Sequence, residues 1–378
     1  MKKLTLSFTL ILAAVAIGLG QVVSTPPSGN NQRSVVKQYI GSIVYVKVVY
    51  NSPDVTSPSG DDRTGHIWGE LVPYGLNDLG FGLGNPSPWR AGSNENTTIT
   101  FSHDVEVQGQ PIAAGTYGLH LIVEENGPWT WIFSSDTKAW GSYFYEAEND
   151  VLRVEATPKD CDYTEWLTYE FTDRQPTSAE LQLAWENKSV PMQIEVPDMK
   201  EVYYTTMSEE LKGGAGFTYQ NWLNASSYLT QADYKLDKAL EWADAAISAP
   251  FIGERNWTTL QNKSTVLMKL DRREEAQATM MEAIELPSAT AFQIHQFGRQ
   301  LISLGEPDKA LEVFQMNHEK FDGAWPTNVG MARGLSAVGK YDEALKYAKL
   351  AHDEAPDDLN KNSMAGAIEK LEQKQDIN

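Results

Sequence analysis

A short phrase built around alanine recurs along the second half of the chain at a fixed spacing. Ala276, Ala310 and Ala344 stand 34 residues apart, and Ala239 opens the series 37 residues before Ala276. A period near 34 residues with small residues at its anchor predicts stacked helical hairpins. Such stacks bind other chains through a concave surface, so the pattern favours an interaction function over a catalytic one for this half.

Each copy of the repeat is predicted to hold a helix, a tight turn and a second helix. In the last full copy Gly339 makes the turn, Ala344 and Ala348 lie on the packing face of the second helix, and Pro356 ends it. An earlier copy has Asp271 where a turn glycine is expected. The pattern resembles the tetratricopeptide (TPR) repeat over residues 221–356.

The segments on either side of the repeats are predicted from composition. Residues 199–220 are predicted to form a connecting helix and a Gly-rich linker, and residues 357–378 a capping helix and tail. A polar cap is what an open helical stack requires at its end.

The first residues have the composition of a secretory leader. Lys2 and Lys3 precede a mostly apolar run that ends in Gly18-Leu19-Gly20. We therefore expect residues 1–20 to be a cleaved signal peptide, residues 21–37 to be a linker, and the protein to be exported to the periplasm or beyond. An uncleaved membrane anchor is the alternative, although the run is short for a bilayer span. No membrane span is expected after cleavage.

The charge of the chain restricts its partners. The formal net charge is −20, and no Lys/Arg-rich run offsets it locally. Such a surface repels the phosphates of nucleic acid, which excludes that partner class. Cys161 is the only cysteine, so an internal disulfide cannot form.

The first half of the chain has apolar residues with period two. The alternation recurs in short segments such as Val44 to Val48, Leu119 to Val123, Leu181 to Trp185 and Met192 to Val196. Repeated alternation predicts antiparallel strands with one buried face, and Asn126-Gly127 suits a hairpin turn. The predicted fold is an antiparallel β-sandwich over residues 38–198, followed by a TPR-like α-helical superhelix. Residues 51–96 are predicted to be an ordered loop system against one end of the sandwich.

Several motifs in this half resemble one family. They are Ile67-Trp68-Gly69-Glu70, Pro88-Trp89-Arg90-Ala91-Gly92, Ala114-Gly115-Thr116-Tyr117-Gly118 and Trp140-Gly141-Ser142-Tyr143. They are similar to the bacterial exported family called domain of unknown function 2911 (DUF2911), some members of which carry TPR-like repeats after that domain. The resemblance implies a fold and an exported location, and no catalytic residue.

The polar group most suited to binding lies in the long loop. It comprises Trp89, Arg90, Asn94 and Glu95, with His66 as a further member. Arg90 and Glu95 offer complementary directional bonds to a ligand that carries a carboxylate and a hydroxyl or amine. The alternative is an internal Arg90–Glu95 ion pair that fastens the loop, with Asn94 bonding turn amides.

Signatures of metal binding and catalysis are missing from the sequence. No His, Asp or Glu pair has the spacing of metal ligands, and His103 shares the parity of Ile99 and Phe101, which predicts a hydrogen-bonded core residue. We expect no metal, cofactor or catalytic residue. A glycosidase-like pair of acids needs no sequence motif, which leaves Glu70, Glu95, Asp150 and Glu165 as equal candidates. Trp129 and Trp131 are either core residues or a sugar-stacking platform.

Two functional hypotheses follow. The first is an exported, non-enzymatic scaffold that binds a peptide or an envelope protein on the first helices of its repeats. The predicted contacts are Asn262, Gln293, Gln296, Arg299, Asn328 and Arg333. The alternative is a hydrolase or carbohydrate-binding protein with its site at the Trp89–Glu95 loop. A third arrangement, in which the β half binds a small ligand while the helices dock it to a complex, also stays open.

Overall fold

The structure is a computed structural model that describes residue 29 and residues 31–378. The predicted signal peptide and most of the predicted linker therefore lie outside the described residues. Two compact units are present, and the division between them falls between Met199 and Lys200. None of the described helices has the length and apolar composition that crossing a bilayer requires.

The first unit consists of antiparallel strands. In the described part of the chain they are β1 (Gln32–Ile40), β2 (Val44–Ser52), β3 (Thr98–Phe101), β4 (Val105–Val107), β5 (Gln110–Ile112), β6 (Gly115–Ile122), β7 (Trp129–Ser134), β8 (Asp150–Ala156), β9 (Lys159–Thr172) and β10 (Ser178–Glu195). A six-stranded sheet has the order β1-β2-β3-β6-β7-β8, and a four-stranded sheet has the order β5-β4-β10-β9.

The two sheets share one apolar core. Tyr50 of β2 meets Tyr169 of β9 edge to face at 4.8 Å, and the indole nitrogen of Trp131 on β7 donates to the carbonyl of Pro191 on β10 at 3.3 Å. Alternating residues such as Val46 and Leu183 are fully buried between the layers. The predicted β-sandwich is therefore confirmed.

The prediction of a linker over residues 21–37 is wrong for its last residues, which form a strand. Gln32–Ile40 form β1, which pairs with β2 along its whole length. Most of its residues are exposed or half-buried, because β1 is the edge strand of its sheet. An edge strand with little burial lacks the strict alternation by which a strand is recognised.

The second unit consists of helices. Those in the described residues are α1 (Met199–Glu210), α2 (Tyr219–Gln231), α3 (Leu236–Ser248), α4 (Trp257–Lys269), α5 (Arg273–Glu285), α6 (Ala291–Ser303), α7 (Pro307–Lys320), α8 (Trp325–Ala337), α9 (Tyr341–Asp353) and α10 (Asp358–Glu372). From α2 to α9 they pack as successive hairpins, and α2 and α6 also pack against α4 and α8, respectively. This is a TPR-like arrangement, as the sequence predicts.

The repeated alanines are the contact points of these hairpins. Ala239, Ala276, Ala310 and Ala344 each occupy the fourth position of their helix, the second of a pair, and none is exposed to solvent. A methyl side chain lets the two helices of a hairpin approach closely, which is why the period is anchored on alanine.

Candidate functional site

The long loop between β2 and β3 is ordered against the sandwich, as predicted. The backbones of Trp89 and Leu121 exchange two hydrogen bonds of 3.1 and 2.8 Å, which fastens the loop to β6. Asp54 forms an isolated bridge with Trp166 of β9. The loop thereby carries Trp89, Arg90 and Asn94 to fixed positions beside the sandwich.

The predicted Arg90–Glu95 ion pair does not form. The Nη1 of Arg90 donates to the backbone carbonyl of Asn94 at 2.8 Å, whereas Glu95 is exposed and accepts from the side-chain amide of Asn51 at 2.6 Å. Asn94 has a φ of 55°, a left-handed turn that Asn tolerates better than most residues. The turn at Asn94 therefore replaces the expected carboxylate as the partner of Arg90.

His66 also lies apart from this group, contrary to the prediction. Its Nδ1 is 3.0 Å from Oε1 of Glu70, and both side chains are largely exposed. The hydrogen bond that the protonated imidazole donates to the Glu70 carboxylate raises the pKa of His66 above its usual value. This is a surface pair, and neither His66 nor Glu95 lines the cavity beside Arg90.

That cavity has a volume of about 450 Å³. Of the predicted residues, Trp89, Arg90 and Asn94 line it. The sequence reasoning missed the other residues of its wall, among them Asp54, Arg63, Trp140 and Tyr143, which lie outside residues 89–95. Trp140 and Tyr143 belong to a motif that carries the family resemblance, and that motif could have identified them as candidates.

A buried Ser–His pair holds the segment that carries Trp140 and Tyr143. The Nδ1 of His120 on β6 is 3.0 Å from Oγ of Ser142, and both side chains are almost fully buried. Burial lowers the pKa of His120 to about 4, so the imidazole is neutral at pH 7. A neutral, enclosed Ser–His pair positions the loop and is not accessible to a substrate.

The other candidates of the first unit have structural roles. Trp129 and Trp131 are buried, which confirms the core interpretation, while His103 is only half-buried and bonds Ser102, so its assignment to the core is wrong. The four candidate acids bond separate partners, and none lines the cavity: Glu70 bonds His66, Glu95 bonds Asn51, Asp150 bonds Tyr145 and Arg153, and Glu165 bonds Tyr163 and Thr56.

In the second unit, four of the six predicted contact residues are hydrogen-bonded within the unit, three of them to the helical stack itself. Asn262 of α4 hydrogen-bonds Ser226 and Ser227 of α2 at 2.8 and 2.7 Å. Gln293 closes the capping box of α6 with Thr290. Asn328 is 2% exposed and donates to the carbonyl of Gly323 and to Glu354. We remove these three from the predicted contact set, because a partner would have to displace a hydrogen bond within the helical stack. The fourth, Arg333, bonds the segment after α10: its Nη1 donates to the carbonyl of Ile377 and to Oδ1 of Asn378, both at 3.4 Å.

Of the other three predicted residues, Arg333 lines a groove beside α10. Gln296 and Arg299 are exposed on α6, and Arg333 follows on α8. The space between α8 and α10 is a groove of about 270 Å³, lined by Val329 and Arg333 on one side and by residues of α10 on the other. Ile377, beyond the end of α10, also lines this groove.

The segment Asp376–Asn378 is hydrogen-bonded to α8. The Oγ of Ser336 donates to Oδ1 of Asp376 at 2.7 Å and accepts from the backbone N–H of Ile377 at 3.1 Å. The side-chain amide of Asn378 donates to the carbonyl of Arg333 at 3.1 Å. Ile377 packs against the hydrophobic core of the helical unit.

Comparison with known proteins agrees with this division of the chain. Residues 31–194 match a family model described as a protein of unknown function (DUF2911), which confirms the resemblance for the first unit. Among curated proteins, none matches the chain.

Several solved TPR structures are similar to the helical part. YrrB, a TPR protein with an unusual peptide-binding site, is 17% identical; the match covers 45% of this chain and 86% of YrrB, with a TM-score of 0.31. A TPR protein from Parabacteroides merdae is 20% identical, covering 47% and 72% of the two chains, with a TM-score of 0.31. MamA is 18% identical, covering 40% and 85%, with a TM-score of 0.30.

Proposed function

We propose that this chain is an exported interaction protein whose helical unit binds an extended peptide segment in the groove between α8 and α10. One observation carries the proposal: beside this groove, α8 already bonds a short segment of the chain itself, Asp376–Asn378, through side-chain and backbone contacts, and Ile377 of that segment lines the groove. A surface that binds one extended segment has the groups in place to bind another.

The contacts define the chemistry of the segment that fits. Ser336 bonds both a carboxylate and a backbone N–H, and Ile377 forms part of the groove wall. Arg333 and Arg299 add positive charge on the same face, and burial together with Arg299 lowers the pKa of Arg333. An acidic residue followed by an apolar residue therefore suits this groove, and the two arginines favour further acidic residues in the partner.

The bound segment is weakly held and can be displaced. It makes a few hydrogen bonds, each worth about 1 kcal/mol net, and buries one partly exposed isoleucine. Its advantage is its attachment, which gives it an effective concentration on the order of millimolar. A partner that also reaches Arg299 and Gln296 on α6 would compensate for that advantage.

The test uses a labelled peptide with the sequence of residues 372–378, added to the full chain. In a variant with Asp376→Ala and Ile377→Ala, the groove is released, and we expect the peptide to bind at least about tenfold more tightly than to the wild type, as measured by fluorescence anisotropy. Adding Ser336→Ala should reverse most of this gain. Ser303→Ala, the same substitution on the exposed surface of α6, is the matched control.

Two results would contradict the proposal. One is equal peptide binding by the wild type and the released variant. The other is a Ser336→Ala effect no larger than that of Ser303→Ala. An amidated form of the same peptide shows whether binding needs a terminal carboxylate or only the Asp-Ile pair.

Export is the second part of the proposal, and it is supported by the Lys2-Lys3 pair followed by an apolar run. We expect a chain expressed with its first residues to be recovered outside the cytoplasm, beginning near Gln21 by mass spectrometry. Replacing Leu12 and Val15 with arginine should interrupt the apolar run and retain the uncleaved chain inside. Recovery of an uncleaved wild-type chain in the membrane fraction would instead favour the anchor alternative.

A further inference from the structure

The cavity of the first unit contains a cation with no opposite charge beside it. Among the described residues, the only hydrogen-bond acceptor of Arg90 is the carbonyl of Asn94, and no carboxylate lies within ion-pairing distance. Arg63, the other arginine of the wall, differs: it donates to the carbonyls of Asp54 and Val55 and faces the Asp54 carboxylate at 3.7 Å. A guanidinium has five N–H donors, so most of those of Arg90 remain available.

The position of Arg90 is fixed before any ligand arrives. Its guanidinium lies 5.2 Å from the ring centre of Tyr143 and directly against Gly141, where a Cβ would come within 2.5 Å of it. Gly141 and Tyr143 flank Ser142, which bonds the buried His120. A preorganised, partly buried arginine loses little entropy on binding, which is the arrangement that recognises carboxylates.

Aromatic side chains form the adjoining walls. Trp89 stacks on buried Trp185 at 6.1 Å, and its indole nitrogen donates to the carbonyl of Gly92. Trp140 is 52% exposed, which leaves a large apolar face at the rim uncovered. Such a face beside a cation suits a ring-shaped ligand that covers the indole while its anionic group reaches Arg90.

The rest of the wall is polar. Asp54, Ser93 and Asn94 contribute oxygen and amide groups to the same cavity. Oxygen atoms accept more than one hydrogen bond, so ring hydroxyls can add to the bonds that these groups already make, whereas a wholly apolar ring would exclude water from them without replacing it. The volume of about 450 Å³ accommodates one or two sugar rings.

From these features we infer that this cavity binds a carboxylate-bearing sugar of the hexuronic acid class, with Arg90 holding the carboxylate and Trp140 covering the ring. The site is independent of the helical groove. Ligand binding there depends on a rigid segment Gly141–Tyr143, and the hydrogen bond between His120 and Ser142 holds that segment in place.

The experiment titrates the full chain with D-glucuronate and follows tryptophan fluorescence and ligand-observed NMR. We expect millimolar binding, at least about tenfold weaker binding of D-glucose, which lacks the carboxylate, and a loss of at least about tenfold with Arg90→Gln, since a charge-assisted bond is worth roughly 1.5–3 kcal/mol. Trp140→Ala should weaken glucuronate binding severalfold. The matched control is Arg33→Gln, the same charge change on the exposed edge strand β1.

Each outcome decides the inference. Equal binding of glucuronate and glucose, an Arg90→Gln variant that binds like Arg33→Gln, or no binding of glucuronate would overturn it. Benzoate separates the two parts of the ligand: if it binds as tightly as glucuronate, the sugar assignment is wrong. Thermal unfolding of both arginine variants at the wild-type temperature verifies that a loss of binding is not a loss of folding.

Discussion

At the residue scale, Phe314 sets the distance between α6 and α8. Its fully buried ring lies among three glycines, and a Cβ on Gly298, Gly330 or Gly334 would come within 2.5, 2.6 or 2.7 Å of it. Contacts this short do not occur, so the helices would have to move apart. The glycines are therefore required by packing, although glycine weakens a helix by about 1 kcal/mol relative to alanine.

The prediction is that Gly298→Ala lowers the free energy of unfolding by about 1–3 kcal/mol through overpacking. Gly366→Ala is the control, because Gly366 lies in α10 with no atom within 4 Å of its Cβ position. That substitution should raise stability by up to about 1 kcal/mol. Urea unfolding measures both values, and a shift of the two variants in the same direction would contradict the packing argument. Phe314→Leu should recover part of the Gly298→Ala loss.

At the element scale, the turns of the repeats show what the sequence could predict. Gly305 and Gly339 end their helices with a φ of 77°, as expected for turn glycines. Asp271 takes the same place with a φ of 56°, and the following N–H still closes the turn on Leu267 at 2.9 Å. The turn is set by packing of the two helices, and aspartate accepts the left-handed conformation at a modest cost.

Strand β10 shows why the period-two pattern of apolar residues predicted the strands only in part. The pattern predicted two segments, one around Leu181 to Trp185 and one around Met192 to Val196, of opposite parity. They are one strand of 18 residues, with register shifts on both sides of Glu186, whose φ is 53°. A bulge adds a residue to one strand and reverses which side chains face the core, so alternation cannot be followed through it.

At the scale of the whole molecule, the sites depend on contacts that no local pattern contains. The cavity wall combines Asp54, Arg90 and Trp140, which are far apart in the chain and are brought together by the loops of the sandwich. The groove of the helical unit is lined in part by Ile377, and Asp376 fastens that segment to Ser336; neither residue belongs to a repeat. Residue chemistry alone suggested Trp89, Arg90 and Arg333 as candidate contacts. The other residues that line the cavity and the groove could be identified only from the fold.

Each unit also contains one buried neutral histidine, which couples the stability of both units to pH. Burial lowers the pKa of His120 in the first unit and of His295 in the second to about 4, and Arg333 and Arg299 contribute to the shift at His295. In the unfolded chain both return to about 6.5. Between pH 6.5 and 4 the unfolded state therefore binds more protons, so stability falls as the pH falls through this window.

We expect each unit to be about 2 kcal/mol less stable at pH 5 than at pH 7 because of its histidine. His120→Asn, which keeps an acceptor for Ser142, should remove most of this loss in the first unit only, and His295→Gln in the second only. Hydrogen exchange followed by mass spectrometry gives opening free energies for peptides of each unit. His66→Gln is the control. The pKa of that exposed residue is raised, so replacing it should leave the loss of stability between pH 7 and pH 5 unchanged. An unchanged pH slope in both variants would assign the loss to carboxylates instead.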